Sequence, residues 1–148
     1  MADAKGRILG IDYGSKRIGV AISDPNRIIA QGLPTIVYQT PPDAFNKIAE
    51  IVATYAVSEI VVGLPLTLKG EVQGSARRAM QFAEQLKTRL AIPVIFWDER
   101  LTTVIAEATV KKYGKSPARE KLHLNEMAAV LILQSYLDRR QKGIPAHE

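Results

Sequence analysis

Arg7-Ile8-Leu9-Gly10-Ile11-Asp12-Tyr13-Gly14-Ser15-Lys16-Arg17-Ile18-Gly19-Val20-Ala21-Ile22-Ser23 decides the fold class. Two apolar runs, 7–12 and 17–23, flank Tyr13-Gly14-Ser15, and turn residues between such runs read as strand, tight turn, strand. Asp24-Pro25-Asn26 reads as the next turn. Residues 28–38 hold a third strand, bent or bulged near Gly32 and Pro34, since both residue types interrupt ladder pairing. Three strands joined by short turns predict an antiparallel meander.

Beyond this stretch the apolar period changes. Phe45, Ile48, Ala49, Val52 and Ala53 recur at helical spacing over 42–55, and Pro41-Pro42 suits a helix start. Glu59-Ile60-Val61-Val62-Gly63 is a short buried strand ended by Leu64-Pro65. A helix over about 75–90 turns Ala79, Phe82, Ala83 and Leu86 inward, and 93–98 is a fifth strand. Thr102 or Thr103 can cap a further helix through about 112. Residues 113–121 read as a polar loop with Gly114 and Pro117, and 125–138 as a last helix. The run Met127 to Leu133 is wholly apolar, which predicts burial on most sides. The order βββαβαβαα makes an α/β fold, with one mixed five-stranded sheet of meander plus βα units flanked by helices. The 148 residues suit a single domain, 1–148, with about 140–148 as a flexible tail.

Composition narrows the chemistry. There are no cysteines, which excludes disulfide scaffolds, thiolate metal sites and cysteine nucleophiles. The longest apolar run is far too short for a bilayer, and no secretory signal is visible at the N-terminus, so the expected address is cytoplasmic, away from membranes. A net charge of +5 points to a polyanionic partner. Lys111, Lys112, Lys115, Arg119 and Lys121 cluster in one stretch, Lys16 and Arg17 flank the first turn, and Arg77 and Arg78 are adjacent.

Two segments carry acids where strands end. Asp12 closes the first strand, and Gly14 lets the backbone turn closely enough to leave room for a metal or a phosphate. An Asx turn joining two strands is an equally good account of that segment alone. Trp97-Asp98-Glu99-Arg100-Leu101-Thr102-Thr103 places two acids and an arginine between a strand and a helix, where open α/β sheets form their sites. Helix capping uses one acid and leaves the other spare. Trp97 reads as core rather than as a stacking platform. At the last helix, Asn125 and Glu126 read most simply as an N-cap and a first-turn acid. Val61-Val62-Gly63-Leu64-Pro65-Leu66 reads as strand and loop. Acids gathered from separate segments suit phosphodiester hydrolysis, because two Mg²⁺ or Mn²⁺ ions roughly 3.5–4 Å apart can stabilise attacking and leaving oxygens. Hard cations of this kind take carboxylate and carbonyl oxygens.

Taken together, Asp12 to Ala21, Val61 to Leu66, Trp97 to Thr103 and Ala128-Ala129-Val130-Leu131-Ile132-Leu133-Gln134 resemble the YqgF/RuvX-type family of pre-16S rRNA nucleases, in the family's order and over nearly the whole chain. The resemblance implies a ribonuclease H-like fold related to Holliday-junction resolvases, with sheet order 3-2-1-4-5. It implies a metal-dependent nuclease that matures the 5′ end of 16S ribosomal RNA. Asp12 and Glu99 match the first two catalytic acids and metal ligands. The family's third acid, an aspartate just before the Ala-Ala pair, corresponds to Asn125, with Glu126 beside it. This departure bears on catalysis at one of three positions. Glu126 is a possible substitute, turned roughly 100° around the helix from Asn125.

The leading expectation is a hydrolase in which Asp12 and Glu99 hold Mg²⁺ or Mn²⁺, with Asn125 and Glu126 completing the catalytic set. Gly14, Lys16, Arg17, Arg100, Thr102, Thr103, Lys111, Lys112, Lys115 and Arg119 line the nucleic-acid face. The expected partner is RNA, as pre-16S rRNA or pre-ribosome, bound by a monomer or weak homodimer. A branched-DNA resolvase uses the same residues, and a non-catalytic rRNA-binding protein would tolerate Asn125. Sugar kinases and actin-like ATPases share the Asp-x-Gly turn but duplicate this domain, and 148 residues hold one copy.

Overall fold

The computed structural model describes residues 6–65, 69–70, 72–98 and 117–141, the last segment with side chains from Asn125 onward. Five strands, β1 (Arg7–Asp12), β2 (Arg17–Ser23), β3 (Ala30–Val37), β4 (Val57–Leu64) and β5 (Val94–Asp98), form one sheet in the order β3-β2-β1-β4-β5. The meander β1-β2-β3 is antiparallel, and β4 and β5 run parallel to β1. The helices are α1 (Pro41–Tyr55), α2 (Gly74–Leu90) and α3 (Pro117–Gln141). The helix expected over 102–112 lies outside the described residues, as do 142–148.

Local chemistry explains most boundaries. Thr40 caps α1, its hydroxyl accepting from the Asp43 amide, and prolines fill the first helical positions. The bend expected in β3 is a bulge: Ile18 pairs with Ile36 while Val20 pairs with Leu33, so β3 carries one extra residue around Pro34 and Thr35.

Each face of the sheet has its own core. Leu9, Ile11, Ile18, Val20, Ile60 and Val62 point toward α1 and α2, where Phe45, Ile48, Phe82 and Leu86 meet them. Ile8, Ala21, Val61 and Trp97 point to the other face, against Ala129, Ile132, Leu133, Tyr136 and Leu137 of α3. Trp97 is core, edge-on to Tyr136 and covered by the Arg139 guanidinium.

The last helix differs from expectation. It starts at Pro117, so 117–121 is helix rather than loop, and Asn125 lies about two turns inside it, not at its N-cap. Pro117 suits a first helical position, and Ala118, Arg119, Glu120 and Lys121 are good helix formers. The burial of its apolar run is also one-sided: Ala129, Ile132 and Leu133 are buried, while Met127, Ala128, Val130 and Leu131 are half-buried.

Three glycines seat α3 on the meander. A Cβ on Gly10 would lie 2.7 Å from Leu133 Cβ, one on Gly19 2.6 Å from the Asn125 carbonyl carbon, and one on Gly32 2.7 Å from Glu126 Cγ. At its far end α3 is tied down by Tyr136, whose hydroxyl donates to Glu59 on β4, and by Arg140, 3.0 Å from the same carboxylate. Burial and the neighbouring carboxylate push the Tyr136 hydroxyl up to about 12.

Candidate active site

Strand alternation decides which way each acid points. Asp12 shares its face with Ile8, on the α3 side of the sheet. Its cross-strand partner on β2 is Gly19. On β4 its neighbour in register is Gly63, which follows Val62, the partner of Ile11. The half-buried Asp12 carboxylate therefore stands between two positions without side chains, at the C-terminal end of the middle strand.

The third position lies above. The Asn125 main chain rests on Gly19, directly across from Asp12, and paired residues in an antiparallel ladder have Cα atoms roughly 4.5–5.5 Å apart. The Glu126 side chain instead lies over Gly32 on β3. That strand is two away from β1, about 10 Å at 4.8 Å per strand. The helix thus brings Asn125 to Asp12 and turns Glu126 away.

Asp98 belongs to the other face. Trp97 packs against α3, and its neighbours Phe96 and Val94 pack with the α1–α2 core, so Asp98 follows their side. Glu99, Arg100, Thr102, Thr103, Lys111, Lys112 and Lys115 lie outside the described residues, and Arg119 lies on α3 where only the backbone is described. Among the described residues no group of three or more His, Asp or Glu gathers in metal-binding geometry. Asp12 lies across from Gly19 and the Asn125 main-chain carbonyl oxygen lies against it, and carboxylate and carbonyl oxygens are both hard ligands.

The loop after Asp12 is held from beneath. Tyr13 stacks on Phe82 of α2 at 4.5 Å, and Phe82 stacks on Phe45 of α1 at 5.0 Å. The Tyr38 hydroxyl donates to the Gly14 carbonyl at 2.6 Å, and the Tyr38 amide donates to the Lys16 carbonyl at 3.3 Å. A Cβ at Gly14 would run into the Arg17 carbonyl, so the tight turn expected there is real. Ser15 and Lys16 are exposed and Arg17 is half-buried. Arg77 and Arg78 are also exposed, in the first turn of α2, which follows β4 at this same edge of the sheet. That helix has no acid in its first turn and no side-chain cap. Lys16 and Arg17 thus put positive charge on the turn that follows Asp12, and Arg77 and Arg78 put it at the start of the helix after β4.

The sequence marks Phe82 as core and Gly19 as part of the Asp12 segment, and gives neither of them, nor Tyr38, a part in supporting the site. Gly19 lay inside a quoted motif, but nothing local signals that a helix more than a hundred positions later rests on it. Tyr38 looks in sequence like the end of an edge strand.

A family model described as "RuvX: Holliday junction resolvase" matches residues 6–139. A "Putative pre-16S rRNA nuclease" of Thermoanaerobacter pseudethanolicus is 47% identical over 133 residues, 89% of this chain and 96% of the relative. One of the same name from Pelotomaculum thermopropionicum is 47% identical over 143 residues, 96% of this chain and 92% of the relative. Among solved structures, T. thermophilus RuvC in complex with Holliday junction substrate superposes with a TM-score of 0.63 at 13% identity, covering 95% of this chain and 98% of that one. The fowlpox virus resolvase with junction DNA gives 0.54 at 11% identity, covering 90% and 98%. At such identities the likeness is one of fold, the ribonuclease H-like fold. By the reach of the family match and by near-half identity to these relatives over most of its length, the chain belongs to the RuvX family.

Proposed function

We propose that this chain is a metal-dependent phosphodiester hydrolase that trims the 5′ end of pre-16S rRNA in the cytoplasm, working as one ribonuclease H-like domain. The observation that carries the reading is the placement of Asp12, on the middle strand, between Gly19 and Gly63, with the Asn125 main chain over Gly19. The names of the relatives supply the substrate.

Asp12 and Glu99 would hold Mg²⁺ or Mn²⁺. Bound there, the ion lowers the pKa of a water and neutralises charge on the phosphate. Asp98 faces the α2 side of the sheet, which supports Glu99 rather than Asp98 as the partner of Asp12. Lys16, Arg17, Arg100 and the basic stretch at Lys111, Lys112, Lys115 and Arg119 would bind phosphates, with Thr102 and Thr103 beside them. Such contacts weaken steeply with salt.

Asn125 would offer a neutral amide oxygen where a third carboxylate could stand, and Glu126 does not replace it. Asn125→Asp is expected to lower the Mg²⁺ concentration for half-maximal cleavage by about tenfold, since ligand charge sets hard-cation affinity. Glu126→Gln should leave cleavage within about twofold of wild type on the same geometry. A metal titration of both variants checks this, and a large loss in Glu126→Gln would return Glu126 to the site.

The family description and the fold of junction-bound RuvC favour a second reading, cleavage of branched DNA. Mn²⁺-dependent cleavage of an RNA carrying the 16S precursor 5′ leader, with a four-way DNA junction as competitor, separates the two. Preferred cleavage of the RNA is expected. Preference for the junction makes the chain a resolvase. No cleavage of either, with salt-sensitive RNA binding intact, makes it an rRNA-binding protein.

A further inference from the structure

We infer that Tyr38 is a positioning residue for the Asp12 site, acting from the opposite face of the sheet through the Gly14 carbonyl. The inference rests on the reading of Asp12 as the catalytic acid. Tyr38 follows β3, belongs to the α1–α2 core and is 9% exposed. It contacts the 13–17 turn at two main-chain carbonyls, donating its hydroxyl to Gly14 and its amide to Lys16. The hydroxyl bond, at 2.6 Å, is at the short end for O–H···O. Lys47 of α1 donates to the Val37 carbonyl at 2.8 Å, which ties the residue before Tyr38 to the helix layer.

The turn therefore has two anchors beneath the sheet, Tyr13 on Phe82 and Gly14 on Tyr38, while Asp12 presents its carboxylate above. Neither anchor needs to touch substrate or metal. A carboxylate that must share an ion with groups from other segments tolerates little drift, and roughly 1 Å of misplacement can cost about 10²-fold in rate. Burial, and then the Tyr13 hydroxyl 3.5 Å away, raises the Tyr38 pKa above the ordinary tyrosine value. The latch therefore stays protonated and donating at neutral pH.

Tyr38→Phe removes the hydroxyl and keeps the ring. Three readouts test it on the full chain: amide hydrogen exchange over 12–17, the dissociation constant of Mn²⁺ from the electron paramagnetic resonance signal of the free ion, and single-turnover cleavage of a labelled RNA. Faster exchange in that segment, about tenfold weaker Mn²⁺ binding and about a tenfold lower maximal rate are expected, with the RNA KM within twofold. Tyr136→Phe, which deletes the hydroxyl bond to Glu59 at the far end of α3, is the control for general loosening and should keep Mn²⁺ affinity and rate. Should Tyr38→Phe lower the melting temperature, the three readouts are taken on the folded protein well below its transition, where a lost latch still shows as faster exchange over 12–17 than elsewhere in the chain. Unchanged exchange and Mn²⁺ affinity in the variant overturn the inference, and so does an equal loss in Tyr136→Phe. If wild type cleaves no RNA, the proposed function fails on its own, and exchange and Mn²⁺ binding still judge the latch.

Discussion

Asp12→Asn is expected to abolish metal-dependent cleavage while the fold survives. The side chain keeps its shape and loses its charge at the end of the middle strand, where its ladder neighbours Gly19 and Gly63 carry no side chain that the change would disturb. If the ion contributes several kcal/mol to the transition state, and each 1.36 kcal/mol is tenfold, losing its ligand should cost on the order of 10³-fold in rate. The melting temperature should move by only a few degrees, because neither hydrophobic core includes this position. The informative comparison is Asp98→Asn. Asp98 is also a half-buried acid at the C-terminal end of a parallel strand, yet it lies on the α2 face. Its variant should cleave within a few-fold of wild type. Single-turnover rates at saturating Mn²⁺ decide the matter. Equal losses at Asp12 and Asp98 would mean that face alternation does not define the site.

That contrast also shows how far the sequence could be read. The strands were legible because their apolar runs are bounded by turn residues, and β1 and β2 have the boundaries expected of them. Asp12 was legible as a candidate from its place at a strand end, and the family resemblance, not that place, set it above an Asx turn. The start of α3 was not. Gly114, Pro117 and a run of charges look like a loop, but proline costs nothing in a first helical turn and the residues after it favour helix. Moving that boundary back changed the meaning of Asn125, from a cap at a helix end to a residue inside a helix lying across β2. The separation of Asn125 from Glu126 was visible as an angle around the helix. Which of the two faces Asp12 depends on how α3 sits on the sheet, and that is set by side-chain volumes more than a hundred positions away. Tyr38 was invisible for a similar reason: its partner is a main-chain carbonyl, and carbonyls carry no sequence signature.

Gly19→Ala should be the most destabilising of the single-methyl changes beneath α3, and the reason lies in what each glycine faces. At Gly19 the added carbon meets main-chain atoms of Asn125, which cannot move unless the helix moves. At Gly10 it meets Leu133 Cβ at 2.7 Å and the Ala129 carbonyl oxygen at 3.2 Å, both fixed to the helix backbone but less close than the Asn125 atoms are to Gly19. At Gly32 it meets the Glu126 side chain, which can swing aside. Replacing glycine also helps folding by about 0.4–1 kcal/mol through the unfolded chain, and at Gly32 this gain should offset most of the cost. Overpacking against fixed backbone typically costs 1–3 kcal/mol and sometimes more, so Gly19→Ala should lose about 3 kcal/mol. For a domain of this size that is a fall in melting temperature of roughly 6–12 °C. Lifting α3 at that point also separates Asn125 from Asp12, so the folded fraction should cleave more slowly by on the order of 10²-fold. Thermal melts of the three alanine variants, with cleavage rates below the transition, test both halves. The expected order of stability is Gly32→Ala above Gly10→Ala above Gly19→Ala. A Gly19→Ala protein as stable and active as wild type would mean that α3 does not rest on β2 as closely as its contact with Gly19 requires, and the assignment of Asn125 to the site would fall with it.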